Sequence, residues 1–556
     1  MTSVLRPCSS PSKTAGKHRW RRGCSSDRRQ SVSQHIDIEG QPVNELIATL
    51  HAVCQERADR PALTFQGQSL TYREFWNRVE RMAAAYQRLG IQAEDRVVCQ
   101  LPNSPEYLIS MVAAWTSRIT FVGVDHDLTG PELVSLVDRT DAVALLYQPR
   151  AGADDGMEPL RTVHEAFPKI HTIVRGTDEP VGTTFADLLD DTADLPDTRR
   201  DYTGVDDLGV ALLLMTSGTT GQPKLVVETY RALWSKTAAF LEAMRPNSDD
   251  VWLIYPPMAH GFGLKMTLMG LASGGRLVVM DRFSPSGALD LVTAERVTVL
   301  PGTPAHLRMM LDRLDGERHD VSSLRWGVSA ASPLPAALLE QVYAVLGVEM
   351  LFIYGCSEGF YTFTTDRADI EAGAVGRRPM DGPEGTPADG HVEIVALDGT
   401  GSVASGVLGE IVYRAKVPVR YWGQESVGVD GWYHTGDLGI VDDEGRLHVR
   451  GRTKELVNRG GLKVSCVEVE TALGALPAVA DAAIFPVPDQ VLGEAIGACV
   501  VSADPDAPID LEGLKAALRT SLARHKMPDR LWIVDAIPRT KLGKIDRAAL
   551  STTVAS

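Results

Sequence analysis

An apolar run, Leu212-Leu213-Leu214-Met215, stops abruptly in Thr216-Ser217-Gly218-Thr219-Thr220-Gly221-Gln222-Pro223-Lys224 and gives way to the extended-looking Leu225-Val226-Val227. The apolar residues read as a buried strand and the hydroxyl-and-glycine cluster as a loop at its end. Glycines let backbone N–H groups approach an anion, hydroxyls add donors that rotate to suit, and Lys224 brings a full positive charge. These are the parts of a triphosphate cradle at the end of a strand. The loop is not of the Walker type, because no Gly-Lys-Ser/Thr closes it and no helix start follows at once. Gly218-Thr219-Thr220-Gly221 alone reads equally well as a polar surface turn.

A chain of 556 residues is too long for one ordinary core and predicts two to four domains. The formal net charge of −16 argues against nucleic acid and against an anionic membrane surface as partners. No apolar stretch is long enough to span a bilayer. The seven cysteines are scattered, odd in number and free of Cys-x-x-Cys spacing, which fits a reducing cytosol better than a disulfide framework or a zinc site.

Residues 1–36 differ from the rest. Arg6, Lys13, Lys17, Arg19, Arg21, Arg22, Arg28 and Arg29 lie among serines with one acid, Asp27. Such a leader is either an organellar transit peptide or a disordered basic tail. It shows no apolar face at helical spacing, so it is read as a tail outside the fold.

Beyond it, Asn44–Arg57 and Thr71–Leu89 read as amphipathic helices, the second opened by a Thr71/Glu74 capping box. Pro61–Phe65 and Gln68–Thr71 read as a hairpin turning at Gln66-Gly67. Arg96–Leu101 is a buried strand and Ser104–Thr116 an apolar helix. Strands and helices then alternate through Met350–Ile353, which predicts open α/β sheets with helices on both faces. From about Val375 short strands separated by Asp-Gly and Glu-Gly turns predict a small β-rich subdomain. A final α+β unit follows, with helices expected over Val467–Leu476 and Leu511–His525. The expected division is residues 37–453 as a large N-terminal domain and 454–552 as a small C-terminal one.

Five strings then occur in one order: the loop above, Pro256-Pro257-Met258-Ala259-His260-Gly261-Phe262-Gly263-Leu264, Tyr354-Gly355-Cys356-Ser357-Glu358, Gly431-Trp432-Tyr433-His434-Thr435-Gly436-Asp437, and Pro538-Arg539-Thr540-Lys541-Leu542-Gly543-Lys544. Together they resemble the motifs of the adenylate-forming superfamily, which includes acyl- and aryl-CoA ligases and peptide-synthetase adenylation domains. The resemblance runs from about residue 40 to 550.

It implies a two-domain α/β ligase with a mobile C-terminal domain, using ATP and Mg²⁺ to convert a carboxylic acid to acyl-AMP and then to a thioester. Thr216, Ser217, Gly218, Thr219, Thr220, Gly221 and Lys224 would hold phosphates. Tyr354 and Gly355 would lie against adenine, with Ser329 in a further segment cradling it. Ser357, where the family usually has Thr, would touch the α-phosphate, and Glu358 with Thr216 would hold Mg²⁺. Asp437 and Arg452 would bind ribose, while Trp432 reads as core. Lys544 would stabilise the charge that builds as pyrophosphate leaves, a role whose loss typically costs roughly 10²–10³ in rate. Lys454 would be the hinge about which the small domain rotates.

His260 takes the place of a residue gating the acid pocket, or is a satisfied core histidine. Phe262 and Lys265 fall where relatives line that pocket. Lys265 either meets a polar or anionic substituent of the acid or reaches solvent, and its setting in sequence favours solvent. Gly261 stands where amino-acid-activating relatives carry an Asp, which disfavours an α-amino acid. Gly460 and Gly461 would face the acceptor thiol. Asn458 and Gly460 stand where some aryl-CoA ligases carry lysines, and Cys466 replaces a frequent proline. Coenzyme A is the first expected acceptor, and these departures keep a carrier-protein phosphopantetheine as the second. A non-catalytic nucleotide-binding relative is the reading from a different class.

Overall fold

The computed structural model describes residues 44–150, 155–176, 182–189, 208–216, 223–330, 334–359, 361–377, 390–397, 399–415, 419–424, 431–459, 462–504, 509–519, 521–539, 545–547 and 549–550. The basic leader, Ser217 to Gly221, Gly460, Gly461 and Lys544 lie outside these residues, as does the side chain of Lys454.

The local chemistry behaves as read. Thr71 N–H donates to Glu74 Oε2 at 2.7 Å while Glu74 N–H donates to Thr71 Oγ1 at 3.2 Å, closing the capping box of helix Tyr72–Arg88. Gln66 and Gly67 both take positive φ (49° and 77°), as a two-residue hairpin turn between twisted strands requires. Helix Pro105–Thr116 buries every residue except Glu106, so its apolar circumference marks a helix held between layers.

Two large sheets share one apolar core. The first, of seven strands, has β1 (Val210–Thr216) and β2 (Lys224–Thr229) at one edge, joined antiparallel, with β1 parallel to Thr120–Gly123. After β2 come helix α1 (Tyr230–Met244) and helix α2 (Gly261–Ala272). The second sheet, of eight strands, places β3 (Trp326–Ser329) beside β4 (Glu349–Gly355) in parallel, and β5 (Tyr361–Thr364) antiparallel at the edge. Trp115, Phe121, Phe240 and Trp252 pack in the common core. Fully burying one such large apolar side chain is worth roughly 1.5–3 kcal/mol.

A third sheet, antiparallel and of five strands, contains β6 (Gly409–Ala415), β7 (Tyr433–Val441) and β8 (Arg446–Arg452). The last sheet is built from Leu456–Arg459, Leu462–Ser465, Val479–Asp489, Gly493–Ser502 and Arg530–Ile533, with helix Cys466–Gly474 packed on it. One expected element is shorter than read. The helix from Leu511 ends at Leu518 rather than His525, because Ser521 folds back with both its N–H and its hydroxyl on the Leu518 carbonyl.

Among the described residues no helix is long and apolar enough to cross a membrane, and none of the five described cysteines is in a disulfide.

Candidate active site

The site forms where the ends of β1, β4 and β7 meet, and each side chain is aimed by its local structure. Thr216 and Lys224 face each other at the last register position of the antiparallel β1–β2 pair. Lys224 places its ammonium 4.5 Å from the ring centroid of Tyr421. Tyr421 arrives on a segment laid along the outer edge of β2: Val227 N–H donates to Arg420 O at 3.0 Å and Trp422 N–H to Leu225 O at 2.8 Å. The Tyr421 hydroxyl donates to Glu358 Oε1 at 2.8 Å and lies 3.4 Å from the Tyr433 hydroxyl. One tyrosine thus ties the foot of the loop to the carboxylate that follows β4.

Asp437 is fixed more tightly still. Gly436 turns at φ +71°, a conformation that favours glycine, and its N–H donates to Glu410 Oε1 at 3.0 Å. Thr435 hydroxyl donates to Ile411 O at 2.6 Å and accepts from Asp437 N–H at 3.0 Å. The buried Asp437 carboxylate then accepts from Tyr354 hydroxyl at 2.7 Å on Oδ2 and from Arg452 Nε at 2.7 Å on Oδ1. Burial, then the Asp437 carboxylate, raises Tyr354 well above an ordinary phenol, so it remains a donor. Ser329 is fully buried at the end of β3, and its hydroxyl has no hydrogen-bond partner among the described residues. A buried donor left open at a strand end suits a ligand.

The residues expected to receive the acid lie around the start of α2. Asn103 braces the preceding loop, its amide donating to Pro256 O at 3.1 Å and its carbonyl accepting from Met258 N–H at 2.8 Å. A Cβ at Gly263 would lie 2.2 Å from Pro257 O and 2.4 Å from Pro256 O, so only glycine lets the helix start this close to the loop. His260 is half-buried at the helix N-cap. Burial lowers its pKa, opposed by the Asp125 carboxylate, so it is a neutral imidazole near pH 7. Phe262 packs partly buried against the main core.

Lys265 corrects an expectation. It does not reach solvent: it is 4% exposed, with its ammonium 4.0 Å from the centroid of Tyr361 and 6.0 Å from that of Phe240. One helical turn after Gly261, it faces inward because that face of α2 packs on β5 and α1. Burial, then the neighbouring Lys236, lowers its pKa to about 7, opposed by Glu228. Trp432 is a second correction. It is half-buried beneath the Arg414 guanidinium, 4.4 Å from its ring centroid, rather than in the core.

Sequence reasoning missed Glu228, Lys236, Tyr361 and Tyr421. Glu228 and Lys236 form a buried ion pair, Nζ to both carboxylate oxygens at 2.8 Å, beside Tyr361. A charged residue ending an apolar strand and a lysine in the next, mostly apolar helix were the available signals. Of the expected residues, the structure joins Thr216 and Lys224 to Glu358 through Tyr421, and Tyr354 and Arg452 to Asp437 directly. His260, Phe262 and Lys265 lie together at the start of α2.

These strand ends form a site of the kind at which open α/β sheets bind nucleotides. The comparisons with known proteins name the class. A family profile described as AMP-binding enzyme matches residues 50–420, and one described as AMP-binding enzyme C-terminal domain matches residues 468–544. Triostin synthetase I of Streptomyces triostinicus is 34% identical, over 93% of this chain and 95% of its own. The 2,3-dihydroxybenzoate-AMP ligase of Bacillus subtilis is 31% identical, over 89% of this chain and 91% of its own. Among solved structures, ATP-bound MatB from Rhodopseudomonas palustris superposes with a TM-score of 0.78 at 26% identity, covering 92% of this chain and 99% of that one. The chain belongs to the AMP-binding enzyme family. It is an AMP-forming acid–thiol ligase, activating a carboxylic acid with ATP as acyl-AMP before thioester formation.

Proposed function

We propose that the acid is a small, aromatic-sized one and that the residues named above divide the work as follows. Ser217 to Gly221 with Thr216 and Lys224 hold the β- and γ-phosphates. Asp437 and Arg452 take the ribose hydroxyls, Tyr354 and Gly355 flank adenine with Ser329 nearby, and Ser357 meets the α-phosphate. The acid carboxylate enters past His260, and Phe262 and Tyr361 wall its pocket.

Glu358 and Thr216 offer hard oxygen donors of the kind that suit Mg²⁺, which keeps most of its shell for phosphates and water. Bound there, the ion would offset phosphate charge. Holding the acid in line with the α-phosphorus removes several kcal/mol of barrier, with ~7–11 kcal/mol as the ceiling for such positioning. Lys544 stabilises the charge that develops at pyrophosphate departure. The small domain, beginning at Lys454, then rotates to bring Gly460 and Gly461 to the acceptor thiol.

The observation that carries this reading is Tyr421, which joins Lys224 of the phosphate loop to Glu358 in one contact chain. Relatives named for aromatic acids, such as the salicylyl-CoA synthase of a Streptomyces species at 32% identity, support the acid class. Coenzyme A is the acceptor; a carrier-protein phosphopantetheine arm is the second reading, favoured by Asn458 and Gly460. Free cysteines support a reducing, cytoplasmic setting. Mass spectrometry of products from aryl, fatty and dicarboxylic acids, with and without coenzyme A, tests the proposal. Acyl-CoA from an aryl acid is expected; acyl-AMP that never passes to coenzyme A would shift the acceptor to a carrier protein.

A further inference from the structure

The chain on either side of residues 540–544, the stretch that ends in Lys544, is held down at both flanks. Arg539 and Ile545 pair as an antiparallel bridge, and Asp546 N–H donates to Pro538 O at 2.9 Å. Arg539 ties the first flank to Asp481, with Nη2 2.7 Å from Oδ2. Arg547, three residues after Lys544, ties the second.

Arg547 divides its guanidinium among three acceptors. Nε donates to Ile484 O at 3.1 Å, Nη2 donates to Glu470 Oε1 at 2.6 Å, and Nη1 lies 3.3 Å from Glu455 Oε1. Ile484 N–H donates to the same Glu470 oxygen at 2.8 Å, so Glu470, Ile484 and Arg547 close a ring of contacts within the small domain. With side chains 12% and 20% exposed, the Glu470–Arg547 pair is poorly screened, and one carboxylate already balances the guanidinium. The contact with Glu455 is additional, and its place in the chain gives it a use. Glu455 follows Lys454 and ends the turn Thr453–Glu455. The Thr453 hydroxyl donates to Gly436 O at 3.1 Å, in the bend that aims Asp437. A line of contacts therefore runs from the Asp437 bend, along the turn that contains Lys454, to the flank of Lys544. A planar fork of five N–H donors serves a carbonyl and two carboxylates at once, whereas a lysine ammonium is a single point.

We propose that Arg547 is a positioning residue for adenylation: by bridging Glu470 and Glu455 it fixes the flank of Lys544 to the chain just past Lys454, so that the lysine is set by the turn at Lys454. This rests on the assignments of Lys454 as hinge and Lys544 as the adenylation lysine. Arg547 acts through Lys544. Without the bridge the flank moves independently of the turn, and the ammonium is in place for a smaller fraction of the time.

The test compares the full-length protein with Glu455→Gln, Arg547→Lys and Arg547→Met. Glu455→Gln is the sharpest variant, since it leaves the Glu470 and Ile484 contacts of Arg547 intact. Hydrogen–deuterium exchange read by mass spectrometry follows residues 453–457 and 538–550 with no acid present. In Glu455→Gln both stretches should exchange roughly 3- to 10-fold faster, while Val479–Asp489 and Gly493–Ser502 keep their protection. In acid-dependent ATP–pyrophosphate exchange, run over aryl, fatty and dicarboxylic acids, kcat should fall about 10-fold in Glu455→Gln and further in Arg547→Met, with KM for ATP unchanged within about 2-fold. Arg547→Lys should recover part of both losses. Unchanged hydrogen exchange in the two stretches would overturn the proposal, as would protection lost across the whole small domain in Glu455→Gln, which marks a contact that only holds the fold. Faster hydrogen exchange with unchanged kcat would remove the positioning role and leave the ligase reading intact. Faster hydrogen exchange in both stretches, with no pyrophosphate exchange by wild type on any acid, would keep the link between turn and flank and reject the ligase reading instead.

Discussion

Replacing Glu228 by Gln should unbalance the interior beside the active site. The pair it breaks is nearly dry, with side-chain exposures of 6% for Lys236 and 2% for Glu228, and bidentate at 2.8 Å. At an effective dielectric near 20, unit charges at that separation attract by about 6 kcal/mol, most of which offsets the cost of removing both from water. Removing one partner leaves the other's desolvation uncompensated, a loss of roughly 3–5 kcal/mol. Glutamine still accepts one hydrogen bond, so we expect about 3 kcal/mol. Trp115 and Trp252 are fully buried in the adjoining core and report its unfolding by fluorescence. With a urea slope of roughly 1–3 kcal/mol per molar, the midpoint should fall by about 1 M or more. Lys236→Met should cost a similar amount, and the double variant less than the sum, since it strands no charge. Single variants within about 1 kcal/mol of wild type, or strictly additive losses, would refute the view that the pair is dry and coupled.

Lys265 carries a further consequence for stability. Its pKa falls from the ordinary lysine value to about 7 in the folded protein. Between pH 7 and about 10 the unfolded chain therefore binds more protons at this residue, and wild type should gain stability with rising pH relative to Lys265→Met, by a few kcal/mol in all. A difference that stays flat across that range, followed by denaturant titration, would show the lysine solvated. Asp437→Asn should raise KM for ATP roughly 10- to 100-fold and leave Arg452 without its charged partner; an unchanged KM would remove Asp437 from nucleotide binding. Lys454→Glu should impair thioester formation more than adenylation, measured as separate half-reactions. Equal loss of both would argue against a hinge.

Much of this was legible in the chain because strand-end loops carry their chemistry in contiguous residues. The capping box at Thr71, the turn at Gln66-Gly67 and the Thr435-Gly436-Asp437 bend all follow from local preferences. Lys265 was misread because a one-dimensional pattern places it in an apolar helix without saying which neighbour faces it, and Tyr361 lies far along the chain. Tyr421 was invisible for a related reason: it belongs to no motif and reaches the site because Arg420 and Trp422 pair with the edge of β2. The premature end of the helix at Leu518 turned on a serine's preference for its own backbone over one more helical turn. Tertiary pairing decided each case.

The account depends on a hydroxyl-and-glycine loop and a lysine more than three hundred residues later acting on one nucleotide. Acid-dependent ATP–pyrophosphate exchange by Lys544→Ala, run beside an ATP-binding titration on the same sample, tests that most directly. Exchange reduced by roughly 10² or more with ATP binding retained is the predicted result; exchange at the wild-type rate would contradict it.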